Sequence, residues 1–62
     1  MTYADFTAWR EQMGYNRLQA TDALGLGRNQ IKRYADGQPI PLYVALACAA
    51  LAAGLGPWRA AG

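Results

Sequence analysis

Arg28, Lys32 and Arg33 fall within six residues of one another, with Asn29 and Gln30 between them and no acid in the run. Arg17 stands a short way upstream. These residues supply hydrogen-bond donors and positive charge. A guanidinium presents a planar fork of donors, and an ammonium a compact point charge. Carried on a helix, such groups can reach base edges in a DNA major groove, which is about 12 Å wide and admits one helix. Taken alone, the run reads first as a solvated helix face, so the surrounding elements have to decide.

Other chemistry is poorly supplied. The chain has no His, a single Cys at position 48, and four carboxylates: Asp5, Glu11, Asp22 and Asp36. The usual general base near neutral pH is therefore missing. No ligand-like spacing of carboxylate and thiol suggests a metal site. The expectation is no enzyme, no metal, no cofactor and no small-molecule ligand. One Cys cannot close an intrachain disulfide, which fits a reducing compartment. Between Ala47 and Ala49, Cys48 reads as a small hydrophobe rather than a redox sensor, which would need an exposed thiol beside positive charge. The net charge of +2 is mild and is compatible with a nucleic-acid partner.

The elements that would position the basic run can be placed from caps and periodicity. Thr2 followed by Asp5 resembles a capping box. Phe6, Trp9 and Met13 then share one helix face, and Gly14 is a natural stop. Asn16 is a good N-cap for a second helix. In that helix Leu18, Ala20, Ala23 and Leu24 are the apolar contacts, and Gly25-Leu26-Gly27 ends it with Leu26 turned inward. A third helix is expected from Arg28 to Ala35, held by Ile31 and Tyr34, with Asp36-Gly37 as the closing turn. Pro39-Ile40-Pro41 is rigid and extended, with Pro41 suited to the first position of the next helix. That helix, from Leu42 to Ala53, is apolar and Ala-rich, and Gly54 and Gly56-Pro57 end it. No strand pattern is present.

Two short helices joined by a Gly-containing turn, the second rich in basic and polar residues, are the parts of a helix-turn-helix. From Gly14 to Gly37 the chain resembles the Cro/C1-type (Xre family) helix-turn-helix regulators of phages and bacteria. Gly14, Gly25, Leu26, Ile31, Tyr34 and Gly37 stand at that family's intervals, with Phe6, Trp9 and Arg10 before them and Ile40-Pro41 and an apolar helix after. Arg17 replaces the usual Gln, Thr21 the usual small Ala, and Ala35 the usual acid, which leaves Arg10 to solvent, Asp36 or a phosphate. The resemblance implies an all-α, lambda-repressor-like domain over residues 1–62. It would have four helices, or five if the tail coils, with the helix-turn-helix at helices 2–3 (residues 16–36). It also implies base contacts from Arg28, Asn29, Gln30 and Arg33, and phosphate contacts from Arg17, Lys32 and Gln38. Tyr34 is expected in the core.

Gly37 to Trp58 carries no charge. The prolines and glycines at its two ends leave too short a helix for a membrane span, and Asp5, Arg10 and Glu11 interrupt any leader-like apolar run. The apolar helix and tail (residues 41–62) are instead expected to make a homodimer, with Leu51, Leu55 and Trp58 in the interface. Two recognition helices would then meet half-sites about 34 Å apart in a palindromic operator. The expected role is a cytoplasmic, nucleoid-associated repressor of transcription that blocks a promoter, a mechanism suggested by the chain's small size. The alternative is a protein-interaction module, such as an antitoxin or adaptor, on the same fold.

Overall fold

Four helices make up the computed structural model, which describes residues 1–61: α1 (Tyr3–Met13), α2 (Arg17–Leu24), α3 (Gln30–Ala35) and α4 (Leu42–Ala52). The domain is all-α, with no strand among the described residues. Gly62, the end of the expected tail, lies outside them.

The first two helices begin with the same device. Thr2 Oγ1 accepts from the Asp5 N–H at 3.0 Å while the Thr2 N–H donates to Asp5 Oδ2 at 3.0 Å. Asn16 and Gln19 repeat the reciprocal pair at 2.8 and 2.9 Å. Each pair satisfies donors that a helix start leaves open. The second box, closed by Gln19, completes a cap that was read from Asn16 alone.

All four helices end alike. Gly14, Gly25, Gly37 and Gly54 have positive φ. The N–H of each following residue reaches back five positions: Tyr15 to Arg10, Leu26 to Thr21, Gln38 to Arg33 and Leu55 to Ala50. This is the Schellman arrangement, and its left-handed residue favours glycine. At Gly25 it reverses the chain between α2 and α3 and drops Leu26 onto the core. At the α1–α2 corner Arg10 Nη1 donates to the Tyr15 carbonyl at 3.2 Å. Arg10, expected to meet solvent, Asp36 or a phosphate, thus braces the corner instead.

The core is small and aromatic. Phe6, Trp9, Ala20, Ile31, Val44 and Cys48 form one buried cluster, with Tyr3, Met13, Tyr15, Leu24, Leu26, Ile40 and Leu51 packed around it. The Phe6 ring lies 5.5 Å from Trp9 and 6.1 Å from Tyr34, centroid to centroid. Such aromatic contacts add to plain area burial. Helix α4 packs on α1 and α2, while α3 packs on α2.

Several boundaries and faces differ from expectation. Helix α3 starts at Gln30, not Arg28: Arg28 and Asn29 form a turn closed by the Gln30 N–H to the Gly27 carbonyl at 3.1 Å. Gly27 and the preceding corner hold these two residues outside helical geometry. Pro41 is the N-cap of α4, with ψ 157°, and not its first helical residue; the helix starts at Leu42 as expected and ends at Ala52, one residue early. Leu18 and Ala23 are exposed, Leu18 at 69%. In so short a helix, Ala20 and Leu24, four residues apart, take the inward row, and their neighbours cannot also face in. The tail after Ala53 forms no fifth helix among the described residues. No helix there is long and apolar enough to cross a membrane.

Candidate nucleic-acid interface

Helix α3 has only six residues, and its two faces differ sharply. Ile31 and Tyr34 are buried, three positions apart on the inward face. Lys32 and Arg33 lie on the opposite side of the helical wheel and are exposed. Gln30 and Ala35 flank the inward face, Gln30 half-buried and Ala35 exposed. The inward anchors fix the rotation of α3 about its axis, and so fix where Lys32 and Arg33 project. Burial pushes the Tyr34 phenol above its ordinary pKa, so it serves as a neutral anchor. The Cys48 thiol behind it is pushed up for the same reason, as suits an apolar packing residue.

Between α2 and α3 runs an open groove of about 550 Å³. Arg17, Leu18, Thr21 and Asp22 line it from α2, Leu26, Arg28 and Asn29 from the turn, and Ile31 and Lys32 from α3. Three cations (Arg17, Arg28, Lys32) therefore face one carboxylate (Asp22) across it. Arg17, Arg28, Asn29 and Lys32 are all exposed, so their donors are free to meet an outside partner.

Of the seven residues read from the sequence as contacts, four come together here: Arg17, Arg28, Asn29 and Lys32. Arg33 is exposed on α3 outside the groove lining. Gln30 sits at the first position of the helix, shared between core and surface. Gln38 follows α3 and borders a separate small hollow of about 210 Å³ with Met1, Thr2 and Ile40.

Leu18, Thr21 and Asp22 were not read as part of this surface. Thr21 shares a row with Arg17, four residues apart and beside the inward row of Ala20 and Leu24, so the spacing of α2 carries a signal for it. Leu18 and Asp22 lie on the side of α2 turned away from that row, and nothing in the spacing marks them as groove residues.

An exposed set of Arg, Lys and Asn on a rigidly anchored helix and its entry turn can donate to phosphates and to base edges. No family model matches the chain, and no curated protein or solved structure matches it at a significant level.

Proposed function

We propose that this chain is a sequence-specific, double-stranded-DNA-binding transcriptional regulator of the helix-turn-helix type. In its simplest form it is a repressor that acts as a homodimer on an inverted-repeat operator. The observation that carries the reading is the division of α3 and its entry turn. Ile31 and Tyr34 are buried, while Arg28, Asn29, Lys32 and Arg33 project, with Arg17 across the groove.

In this reading Arg28 and Asn29 enter the major groove from the turn, ahead of the helix. Arg33 follows one turn later, and Gln30 supports them from the helix start. Arg donates two parallel bonds to a guanine edge, and Asn pairs with an adenine edge. Arg17, Lys32 and Gln38 contact phosphates, which fix register rather than sequence. Asp22, the one acid in the groove, repels phosphate and so helps define where the backbone passes. Occupancy of a promoter then blocks transcription, at the nucleoid.

The test is fluorescence anisotropy with DNA from upstream of the protein's own gene, beside a scrambled duplex, at about 150 mM salt. A dissociation constant of roughly 10⁻⁸ M or tighter, lost on scrambling, is the expected result. No binding to either duplex at low salt would overturn the reading and leave a protein-binding role on the same fold.

A further inference from the structure

We infer that two copies of this chain associate through the outward face of α4, packed antiparallel, with the bulky half of one helix seated on the small half of the other. The inference deepens the homodimer of the proposed function, but it rests on α4 and the tail beside it and is tested without DNA.

Helix α4 is apolar all round. Val44 and Cys48 are buried and Leu51 packs against the core, which fixes the inward side. Tyr43, Leu46, Ala47 and Ala50 then form a stripe at i, i+3, i+4 and i+7 on another side. The bulky half of that stripe is unpartnered, with Tyr43 69% and Leu46 60% exposed, while Ala47 and Ala50 are half-buried at the floor of a groove. Leu42, beside it, is 74% exposed, and beyond the helix end Leu55 is 61% and Trp58 89% exposed. Leu46, Ala47, Ala50, Leu55 and Trp58 line an apolar groove of about 690 Å³, which shares no lining residue with the basic groove.

Three features identify the occupant as a second copy. The first is area. With aromatic side chains of about 150–250 Å² each, these five exposed side chains present on the order of 800 Å². That is about what each partner contributes to a standard interface, and more than a monomer ordinarily exposes in one patch. The second is shape. The stripe is bulky at its start (Tyr43, Leu46) and small at its end (Ala47, Ala50), and its midpoint falls between Leu46 and Ala47. Reversing one helix about that midpoint sets Tyr43 over the partner's Ala50 and Leu46 over the partner's Ala47. The groove beside Ala50, walled by Leu55 and Trp58, then receives the tyrosine. A parallel pairing would instead oppose Tyr43 to Tyr43 and Leu46 to Leu46, leaving the alanines apart. The third is charge. No charged residue occurs from Gly37 to Trp58, so the face buries no unpaired charge.

The structure also shifts the weight of the interface. Leu51 faces the core as much as the groove, so Tyr43 and Leu46 replace it as anchors, while Leu55 and Trp58 remain as walls.

Sedimentation equilibrium of the full chain in the absence of DNA, from micromolar to millimolar concentration, is the direct test. A reversible dimer is expected, and Leu46→Glu should weaken it about 30-fold or more, the scale of an interface hot spot. Leu46 lies on the surface, so the far-UV circular dichroism of the variant should match the parent. Orientation is read by mild oxidation of two single variants. In the antiparallel pair the two copies of residue 47 meet at the two-fold axis. Those of residue 50 lie about 10 Å apart along the helices, beyond the reach of a disulfide. Ala47→Cys should therefore cross-link and Ala50→Cys should not. A monomer at every concentration, a dimer indifferent to Leu46→Glu, or efficient cross-linking of Ala50→Cys would each overturn the inference. A monomer that still binds its operator specifically would overturn it while leaving the DNA reading intact.

Discussion

Replacing Arg17 by Ala separates binding from folding. Arg17 is the first residue of α2 and is exposed at the edge of the basic groove. The cap that starts the helix uses only Asn16 and Gln19, so Arg17→Ala leaves it whole. A cation at a helix N-terminus opposes the macrodipole, so its removal is neutral or stabilising by up to about 0.3–1 kcal/mol. The effect on DNA has the opposite sign. Each neutralised phosphate contributes about 0.9 to the slope of log K against log salt. A two-fold complex loses one contact per chain, so the slope should become shallower by about 1.8. Because a phosphate carries no sequence information, affinity for operator and scrambled duplex should fall by the same factor. Anisotropy titrations at several salt concentrations give the slope, and a thermal melt of the free protein gives the stability. An unchanged slope, or a loss confined to the operator, would refute the assignment of Arg17 to a phosphate. A lower melting temperature would show that Arg17 supports the fold instead.

Three further substitutions probe the site, the corner and the first cap. Arg33→Ala should cost about 1–3 kcal/mol of operator affinity and relax specificity at one base position, as scored by binding to operators randomised base by base. In Gly25→Ala the added Cβ meets nothing within 4 Å. Its cost is therefore the left-handed backbone at φ 66° alone, about 1–2 kcal/mol in urea denaturation. Asp5 accepts hydrogen bonds from the Thr2 N–H first and its hydroxyl second, which hold its carboxyl below the ordinary value of 3.8. A lowered folded pKa gives stability that is present above about pH 3.8 and lost as pH falls through the folded value. Asp5→Ala should therefore melt below the parent near neutral pH, and the difference should shrink in acid.

The local signals that were legible in the sequence share a feature: each is satisfied within a few residues. Thr2 with Asp5, Asn16 as a cap, and glycines at 14, 25, 37 and 54 mark where hydrogen-bonding groups run out and must be met locally. They place the ends of α1, α2 and α4 to within a residue or so. The start of α3 was misplaced because nothing local marks it. Asn29 precedes the helix but makes no side-chain cap, and Arg28 and Asn29 have no intrinsic objection to helix. Only the path of the chain out of the Gly25 corner, with Leu26 pinned to the core, holds them in a turn. The difference bears on function, because it puts two of the proposed base-reading side chains on the turn rather than on the helix barrel. Their reach then depends on the Gly25–Gly27 corner, and a change there should alter specificity as well as stability.

In α4 the sequence is least able to specify its own packing. Helices α1 and α3 carry polar residues that set the phase of burial: once Glu11, Gln12, Lys32 and Arg33 face water, the inward face follows. Helix α4 contains no polar residue except the Tyr43 hydroxyl and the Cys48 thiol, so polarity does not decide which of its sides faces the core. The phase is set from outside, by where Phe6, Trp9 and Ile31 leave space, and that space takes Val44 and Cys48. Two medium-sized side chains fill it, and the larger Leu42, Tyr43 and Leu46 are turned outward. The most apolar helix of the chain thus keeps its bulkiest side chains for its surface, an arrangement that self-association through that surface would account for. The two outer surfaces can be separated experimentally because they share no lining residue. Leu46→Glu should weaken the dimer and spare non-specific DNA affinity per monomer. Arg17→Ala should do the reverse.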